Sequence, residues 1–470
     1  MGMKNWMQRK AVGLDSLASH HRLNPTLSWW HLVALGVGAI VGTGIYTLVG
    51  VGANLAGPAV TLSFLIAGAI CACAALAYAE VATMIPASGS AYTYSYVVLG
   101  EIIAWVVGWS LILEYSLVVS AVAVGWSGYA VGFLHSIGLD LPLAMSAGPH
   151  AGGLINIPAM LIVAVVAGLL ALGTKESATV NAILVLVKII ALLIFVVVAL
   201  PHFDASHFKP FMPYGFAKHD VDGVQRGVMA AAAIIFFAFY GFDAISTAAE
   251  EAKRPGRDLP IGIIGSLAVC TAVYVGVAAV AVGSMSYTVY ANSPEPLALI
   301  LRQLGQGGTA AIIGAAAIIA LPTVILAFLY GQSRIFFVMA RDGLLPASLA
   351  KVNARTGTPI RITALTAVIV AILAGLVPLD QIAALANAGT LVAFMAVATC
   401  MLVLRRRAPD EPRLFRSPLP WLVGPGAIIG CAYLFMSLPS QTHHFFLLWN
   451  AIGLVLYMVW IGRRSGASAG

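Results

Sequence analysis

The chain has 470 residues, of which 60% are hydrophobic and only 9% carry a charge. A soluble domain carries about 25% charged residues, so this composition excludes an ordinary soluble protein and indicates an integral membrane protein. The formal net charge of +7 is accounted for by loops at the membrane surface and by contact with anionic lipids. No separate basic domain supports binding to nucleic acid.

Hydropathy predicts an all-α protein with twelve transmembrane helices, because each crossing needs about 20 mainly apolar residues. We number the predicted spans 1 to 12 in chain order: 28–52, 58–83, 101–131, 153–172, 180–200, 226–250, 258–284, 307–335, 359–378, 381–404, 419–438 and 445–462. One membrane domain, 28–462, then lies between a polar N-terminal segment, 1–27, and a short tail, 463–470. The first apolar stretch is long enough to be a retained span rather than a cleaved signal.

The distribution of Lys and Arg predicts the orientation of the chain. Of the 25 basic residues, 20 lie in the termini and in the loops that follow spans 4, 6, 8 and 10. Four lie on the opposite side: Lys209, Lys218, Arg226 and Arg302. The positive-inside rule therefore predicts that both termini are cytoplasmic.

Neither a metal site nor a cofactor is expected. The five cysteines all fall inside predicted spans, without a Cys-x-x-Cys pair and without histidines at ligand spacing. They are most simply small packing residues. Soluble enzyme motifs are absent, since Gly36-x-Gly38 lacks the third glycine of a dinucleotide fingerprint and follows no strand. We therefore do not expect an enzyme.

Span 1 contains the glycine-rich stretch 36–45, GVGAIVGTGI, in the middle of the membrane. Irregular backbone is tolerated at that depth only where it is buried in protein or lines a cavity, and broken helices hold the substrate in many transporters. By itself, Gly38-x-x-x-Gly42 is more typical of close helix packing. A second interruption favours the carrier interpretation, because span 6 sets Gly241 beside Asp243 in the stretch 236–243, FFAFYGFD.

The two interruptions predict an inverted repeat with one site at the membrane midplane. Spans 1 to 5 (28–200) form the first repeat and spans 6 to 10 (226–404) the second. Spans 11 and 12 (419–462) are additional. Each repeat then begins with a broken helix.

Four ionisable residues lie within spans: Glu80, Glu114, Lys188 and Asp243. Burying each costs a few kcal/mol, so each is a functional candidate. Glu80 is close enough to the cytoplasm to reach water, and a structural role is equally open for it. Glu114 lies deep and needs a partner inside the bundle. For Lys188 two interpretations stay open: proton exchange, or a fixed ion pair with Asp243 or Glu114.

The chain resembles the cationic amino acid transporter family of the amino acid, polyamine and organocation superfamily. The motifs that carry the resemblance are 36–45, 78–80, 86–94, 108–115, 239–243, 250–251, 330–334 and 341–346. The resemblance implies the leucine-transporter fold and alternating access by rocking of a bundle against a scaffold. It also implies that Lys188 replaces a sodium ion, so that its protonation couples transport to the proton gradient.

The break in span 1 is expected to bind a carboxylate. The amides of Thr43, Gly44 and Ile45 open the second half of the helix, and a helix start attracts anions. Glycine at position 44 is expected to let the carboxylate approach the backbone.

Carbonyl groups at the ends of the first half-helices are expected to bind the ammonium group of an amino acid. They belong to Ala39 and Ile40 in span 1 and to Phe237, Ala238 and Tyr240 in span 6. The rings of Phe237 and Tyr240 are either packing aromatics or the lining of a pocket, and their place at the break favours the pocket.

The sequence therefore predicts a proton-coupled L-amino acid symporter of a bacterial inner membrane, with an obligate exchanger as the alternative. A channel is disfavoured because no continuous polar stripe is present. Neutral and cationic substrates both stay open, since Asp243 or Glu114 could balance a cationic side chain. The expected partners are an L-amino acid, protons and membrane lipids; a monomer is expected, and a single-span accessory subunit stays open.

Overall fold

The computed structural model describes residues 27–85, 89–172, 178–247, 252–346 and 360–467. These residues are mainly helical, with one antiparallel hairpin of strands β1 (His219–Val221) and β2 (Val224–Arg226), in which His219 pairs with Arg226. Of the motifs named above, residues 86–88 and 250–251 lie outside the described residues, as do the basic residues of 1–26 and 347–359.

The helices in chain order are α1 Trp29–Ile40, α2 Thr43–Tyr46, α3 Leu48–Ala56, α4 Val60–Met84, α5 Ser90–Val98, α6 Glu101–Ser136, α7 Leu143–Ser146, α8 Ile157–Ala171, α9 Ala178–Ala199, α10 Val228–Ile235, α11 Ala244–Thr247, α12 Pro255–Ser284, α13 Tyr287–Tyr290, α14 Pro296–Gln303, α15 Gly307–Arg341, α16 Ile360–Leu376, α17 Leu379–Arg407, α18 Pro420–Ser437 and α19 Ser440–Ala467. Short 3-10 turns occur at Gly57–Ala59, Pro149–Ala151, Leu200–His202, Ala205–Phe208 and Phe236–Phe239.

Within the described residues, eight helical segments are long and apolar enough to cross a membrane: Leu48–Met84, Glu101–Ser136, Val180–His202, Pro255–Ser284, Gly307–Arg341, Leu379–Arg407, Pro420–Ser437 and Ser440–Val459. Four shorter apolar helices are Trp29–Ile40, Ile157–Ala171, Val228–Phe239 and Ile360–Leu376. Each predicted span overlaps one of these segments, and Leu48–Met84 contains the end of span 1 together with the whole of span 2. The prediction of a mainly helical, multi-pass membrane protein is thus confirmed.

Helix α6 lies at the centre of the bundle. In the most apolar stretch of α6, 72% of the residues are buried. In the corresponding stretch of α19 only 22% are buried, so α19 lies at the periphery. Helices α15 and α17 pack along α6, while α1 packs against α12 and α9. A site between α1, α6 and α15 is therefore enclosed by protein.

Both predicted helix breaks are present. Helix α1 ends at Ile40, Val41 and Gly42 are extended, and α2 begins at Thr43. Span 6 tightens into a 3-10 turn at Phe236–Phe239 and then opens at Gly241, whose φ of +115° is in the region that favours glycine. Helical hydrogen bonding is interrupted at both points, which leaves backbone groups available in the core.

Candidate functional site

The two helix breaks contact each other. A Cβ atom at Gly44 would collide with the Cα atom of Ala238, and one at Gly241 would lie 2.6 Å from the Cβ atom of Ala39. Only glycine allows such a close approach of two backbones. The first requirement for Gly44 is therefore packing against span 6, whereas the sequence suggested approach of a substrate carboxylate.

A small cavity lies beside this contact. It is lined by Ala39, Ile40, Gly42, Thr43, Gly44, Val118, Val122, Phe237, Tyr240, Val324 and Phe328. Its free volume in this conformation is about 10 Å³, close to the least that holds one water molecule, so an amino acid can enter only after the lining residues move apart. Six of the predicted site residues line it, while Ile45 and Ala238 are buried beside it and do not.

Sequence reasoning missed the lining residues of the intact helices. Val118 and Val122 lie one turn apart on α6, and Val324 and Phe328 lie one turn apart on α15. Apolar residues in a transmembrane helix are ordinary, so no signal distinguishes these four. Among the described residues, the lining includes no carboxylate and no basic side chain.

Several backbone groups at the break of span 1 already have partners. The amides of Ile45 and Tyr46 donate to the Gly42 carbonyl at 3.3 and 3.4 Å. The Ile40 carbonyl accepts a hydrogen bond of 2.8 Å from the Tyr274 hydroxyl. The amides of Thr43 and Gly44 precede these bonds at the start of α2, where a helix leaves donors free.

Lys188 is fully buried and reaches the same break. Its Nζ atom donates to the Gly38 carbonyl at 2.9 Å and to Thr323 Oγ1 at 3.1 Å. In an unbroken helix the Gly38 carbonyl would accept from the amide of Gly42. The break frees this carbonyl, and the ammonium group joins α9 to α1 and α15 there.

Asp243 stabilises the second break from within its own segment. Its Oδ1 atom accepts from the amide of Gly241 at 3.2 Å, and its backbone carbonyl accepts from the Ser246 hydroxyl at 2.5 Å. Asp243 is 4% exposed and is not part of the cavity lining. It thus supports the unusual conformation of Gly241.

Glu114 faces α17 rather than the cavity. A Cβ atom at Gly389 would lie 3.4 Å from the Cβ atom of Glu114, and the Thr390 hydroxyl donates at 3.3 Å to the Ala386 carbonyl of α17 itself. Among the described residues, Glu114 Oε2 has no hydrogen-bond partner. Glu114 therefore packs against α17, outside the cavity lining.

Glu80 belongs to a buried ion cluster and does not reach water. Its two carboxylate oxygens each accept a 2.6 Å hydrogen bond from Arg405, and Oε2 also accepts one of 2.8 Å from the amide of Ser417. Arg413 Nε lies 3.3 Å from Oε1. Of the two roles left open by the sequence, this geometry favours the structural one.

A small cavity between two broken helices of a transmembrane bundle, with a buried lysine at one break, defines a membrane carrier. The sequence profile of the family described as "Amino acid permease" matches residues 27–461. The chain belongs to this family of transporters, which confirms the predicted superfamily.

The similar proteins are transporters whose names state different solutes. The chain is 45% identical to the branched-chain amino acid permease BcaP of Bacillus subtilis, over 98% of this chain and 99% of the relative. It is 41% identical to the methylthioribose transporter of the same organism, over 96% of each. It is 40% identical to the vacuolar cationic amino acid transporter 2 of Arabidopsis thaliana, over 89% of this chain and 65% of the relative.

Proposed function

We propose that the protein is a proton-coupled importer of neutral, apolar L-amino acids that works by alternating access. The observation that carries the proposal is the cavity at the crossed helix breaks, whose lining is apolar apart from Thr43, Tyr240 and backbone groups. Membership of the amino acid permease family supports transport of amino acids.

The two ends of the substrate bind to backbone groups. Its carboxylate lies at the first amides of the second half-helix, those of Thr43 and Gly44, with the positive end of the helix behind them. The Ile45 amide, which donates to Gly42 in this structure, contributes only after rearrangement.

The ammonium group binds carbonyls at the ends of the first half-helices, Ala39 and Ile40 in span 1 and Phe237, Ala238 and Tyr240 in span 6. Because Ile40 already accepts from Tyr274, the Ala39 carbonyl is the better acceptor within span 1. Both ends of an α-amino acid are thereby recognised without a charged side chain.

The substrate side chain faces Val118, Val122, Val324 and Phe328. A guanidinium or ammonium group placed there would lose its hydration without gaining an acidic partner, which is strongly unfavourable. An aliphatic side chain instead gains about 25 cal/mol for each Å² of apolar surface that it buries. The name of the relative BcaP, a branched-chain amino acid permease, agrees with this preference.

Lys188 couples transport to protons. Protonated Lys188 holds α9 against the break of span 1 through the Gly38 carbonyl and Thr323. Loss of the proton removes the charge from these hydrogen bonds and weakens them by about half. Release of the proton to the cytoplasm then loosens the break and releases the substrate.

The fold proposed for this cycle is that of the leucine transporter, with twelve crossings and a 5+5 inverted repeat within 28–404. The correspondence of the predicted spans with helices, and the breaks at the start of each repeat, support it. Both termini lie in the cytoplasm of a bacterial cell, and the protein works as a monomer in its inner membrane. Protons and surrounding lipids are its further partners.

Uptake into proteoliposomes at clamped voltage tests the proposal. An inward proton gradient should drive accumulation of radiolabelled leucine, and excess valine should compete while arginine and methylthioribose do not. Arginine competition equal to that of valine would contradict the neutral substrate class. Dependence on sodium instead of protons would contradict the coupling.

An obligate exchanger is the second candidate, since the same cavity serves both modes. Counterflow into vesicles preloaded with leucine, without net uptake into empty vesicles, would establish exchange. Net uptake into empty vesicles would exclude it.

A further inference from the structure

We propose that Asn387 of α17 is a positioning residue that holds the broken part of span 6 in its bent form and fixes Tyr240 at the substrate. The inference deepens the proposed function, because it relies on Tyr240 being part of the substrate site. Asn387 does not line the cavity, and it acts through Tyr240.

The contacts of Asn387 use its whole amide group. Nδ2 donates to the carbonyls of Ala233 at 2.5 Å and Ile234 at 3.0 Å, and Oδ1 accepts from the Tyr240 hydroxyl. The side chain is 0% exposed. An asparagine in a membrane bundle is unfavourable unless such partners are present, so these bonds explain how it is accommodated.

The two carbonyls lie directly before the break of span 6. In a continuous α-helix, the carbonyls of Ala233 and Ile234 would accept from the amides of Phe237 and Ala238. Span 6 instead tightens into a 3-10 turn at Phe236–Phe239. Buried backbone carbonyls require partners, and Asn387 donates to both carbonyls from a neighbouring helix.

The third bond connects this support to the substrate site. The Tyr240 ring lines the cavity and packs against Phe236 and Phe237, with ring centroids 5.9 and 5.1 Å away. Its hydroxyl donates to Asn387 Oδ1 on α17. Movement of Tyr240 during binding is thereby transmitted to α17.

A double-mutant cycle in proteoliposomes tests this inference. Asn387→Ala and Tyr240→Phe should each raise the KM for leucine by about tenfold, the effect of roughly 1.4 kcal/mol of lost hydrogen bonding. The double variant should show little further increase, because both changes remove the same contact. Thr399→Val is the matched control, since this hydroxyl on α17 bonds to Met395 of its own helix, and its KM should stay unchanged.

A readout without substrate separates this inference from the proposed function. The test protein carries Val122→Cys together with Cys73→Ser. The rate at which a small thiol reagent labels the cysteine at position 122 then measures access to the cavity. Asn387→Ala should raise this rate by roughly tenfold, while Thr399→Val leaves it unchanged. Failure of wild-type protein to transport any neutral amino acid would contradict the proposed function only.

Two outcomes would overturn the role of Asn387. One is an Asn387→Ala variant with unchanged labelling rate and unchanged KM. The other is a KM effect that adds fully to that of Tyr240→Phe, which would show that Asn387 acts independently of Tyr240. If Asn387→Ala folds poorly, Tyr240→Phe alone decides, because it removes only the hydroxyl, and an unchanged KM and labelling rate would then overturn the inference.

Discussion

Gly42 and Gly44 are two residues apart but meet different steric requirements. A Cβ atom at Gly44 would collide with the backbone of Ala238, whereas one at Gly42 would lie 3.5 Å from Val324, an ordinary van der Waals distance. Gly42 also lines the cavity. Only Gly42 therefore reports on the substrate site without disturbing the contact between the breaks.

Alanine substitutions should separate these requirements. Gly44→Ala should lower the free energy of unfolding by about 1–3 kcal/mol, because it forces two packed backbones apart. Gly42→Ala should keep wild-type thermal stability and raise the KM for leucine, since its methyl group enters the cavity. Thermal unfolding of purified protein measures the stability of each variant, and uptake into proteoliposomes measures its KM for leucine. Equal destabilisation by the two substitutions would contradict the described contact.

Lys188 interacts with a carbonyl that exists as a free acceptor only because the helix is broken. Its substitution should therefore affect coupling more than binding. With a gradient of one pH unit, wild-type protein should accumulate leucine up to about tenfold, the equivalent of 1.4 kcal/mol for one coupled proton. Lys188→Ala should only equilibrate leucine, with counterflow largely retained.

The matched control for this prediction is Lys218→Ala. Lys218 Nζ donates to the carbonyls of Met436 and Leu438, far from the breaks in sequence and outside the cavity lining. It should retain accumulation. Thr323→Val, which removes one Lys188 contact and leaves the Gly38 carbonyl, should have an intermediate effect. Full accumulation by Lys188→Ala would exclude this lysine as the proton carrier.

At the scale of elements, the ion cluster of Glu80 joins α4 to the end of α17 and to the segment before α18. Arg405 lies in the last turn of α17, while Arg413 and Ser417 belong to the connection that follows. Removing one member of a buried group of a carboxylate and two guanidinium groups is strongly destabilising, because it leaves a buried charge without a partner. The cluster therefore fixes how these three elements meet.

Glu80→Gln should destabilise the protein by roughly 3 kcal/mol, because it leaves buried arginines without a counter-charge. Glu101→Gln is the control, since Glu101 accepts hydrogen bonds from Tyr96 and Tyr457 but forms no ion pair within the described residues. Thermal unfolding in detergent measures both, and leucine affinity of the folded fraction should stay unchanged. A loss of affinity without loss of stability would assign Glu80 to the transport cycle.

At the scale of the whole molecule, the distribution of basic residues predicts the side of each loop. Asp140 and Lys209 are exposed beyond α6 and α9, and Asp410 is exposed beyond α17. A membrane-impermeant thiol reagent should label Asp140→Cys and Lys209→Cys in intact cells. It should label Asp410→Cys only after permeabilisation. Labelling of Asp410→Cys from outside would reverse the proposed orientation.

Hydropathy was sufficient to predict the apolar helices, because a bilayer imposes a minimum apolar length on every crossing. Gly36, Gly38, Gly42 and Gly44 indicated the first break, and Gly241 indicated the second, since glycine in an apolar span lowers the cost of an interrupted helix. Lys188 was identified because it is a basic residue within a predicted span, and burying an ionisable group in a membrane is costly.

Only the tertiary structure decided which residues meet. Lys188 is 150 positions from Gly38 and 135 from Thr323, and Asn387 is 147 from Tyr240. Such pairs depend on how helices pack, and hydropathy along one helix carries no information about its neighbour. The sequence could not identify Val118, Val122 and Phe328 as cavity residues, because the same apolar residue types face a binding site and face lipid.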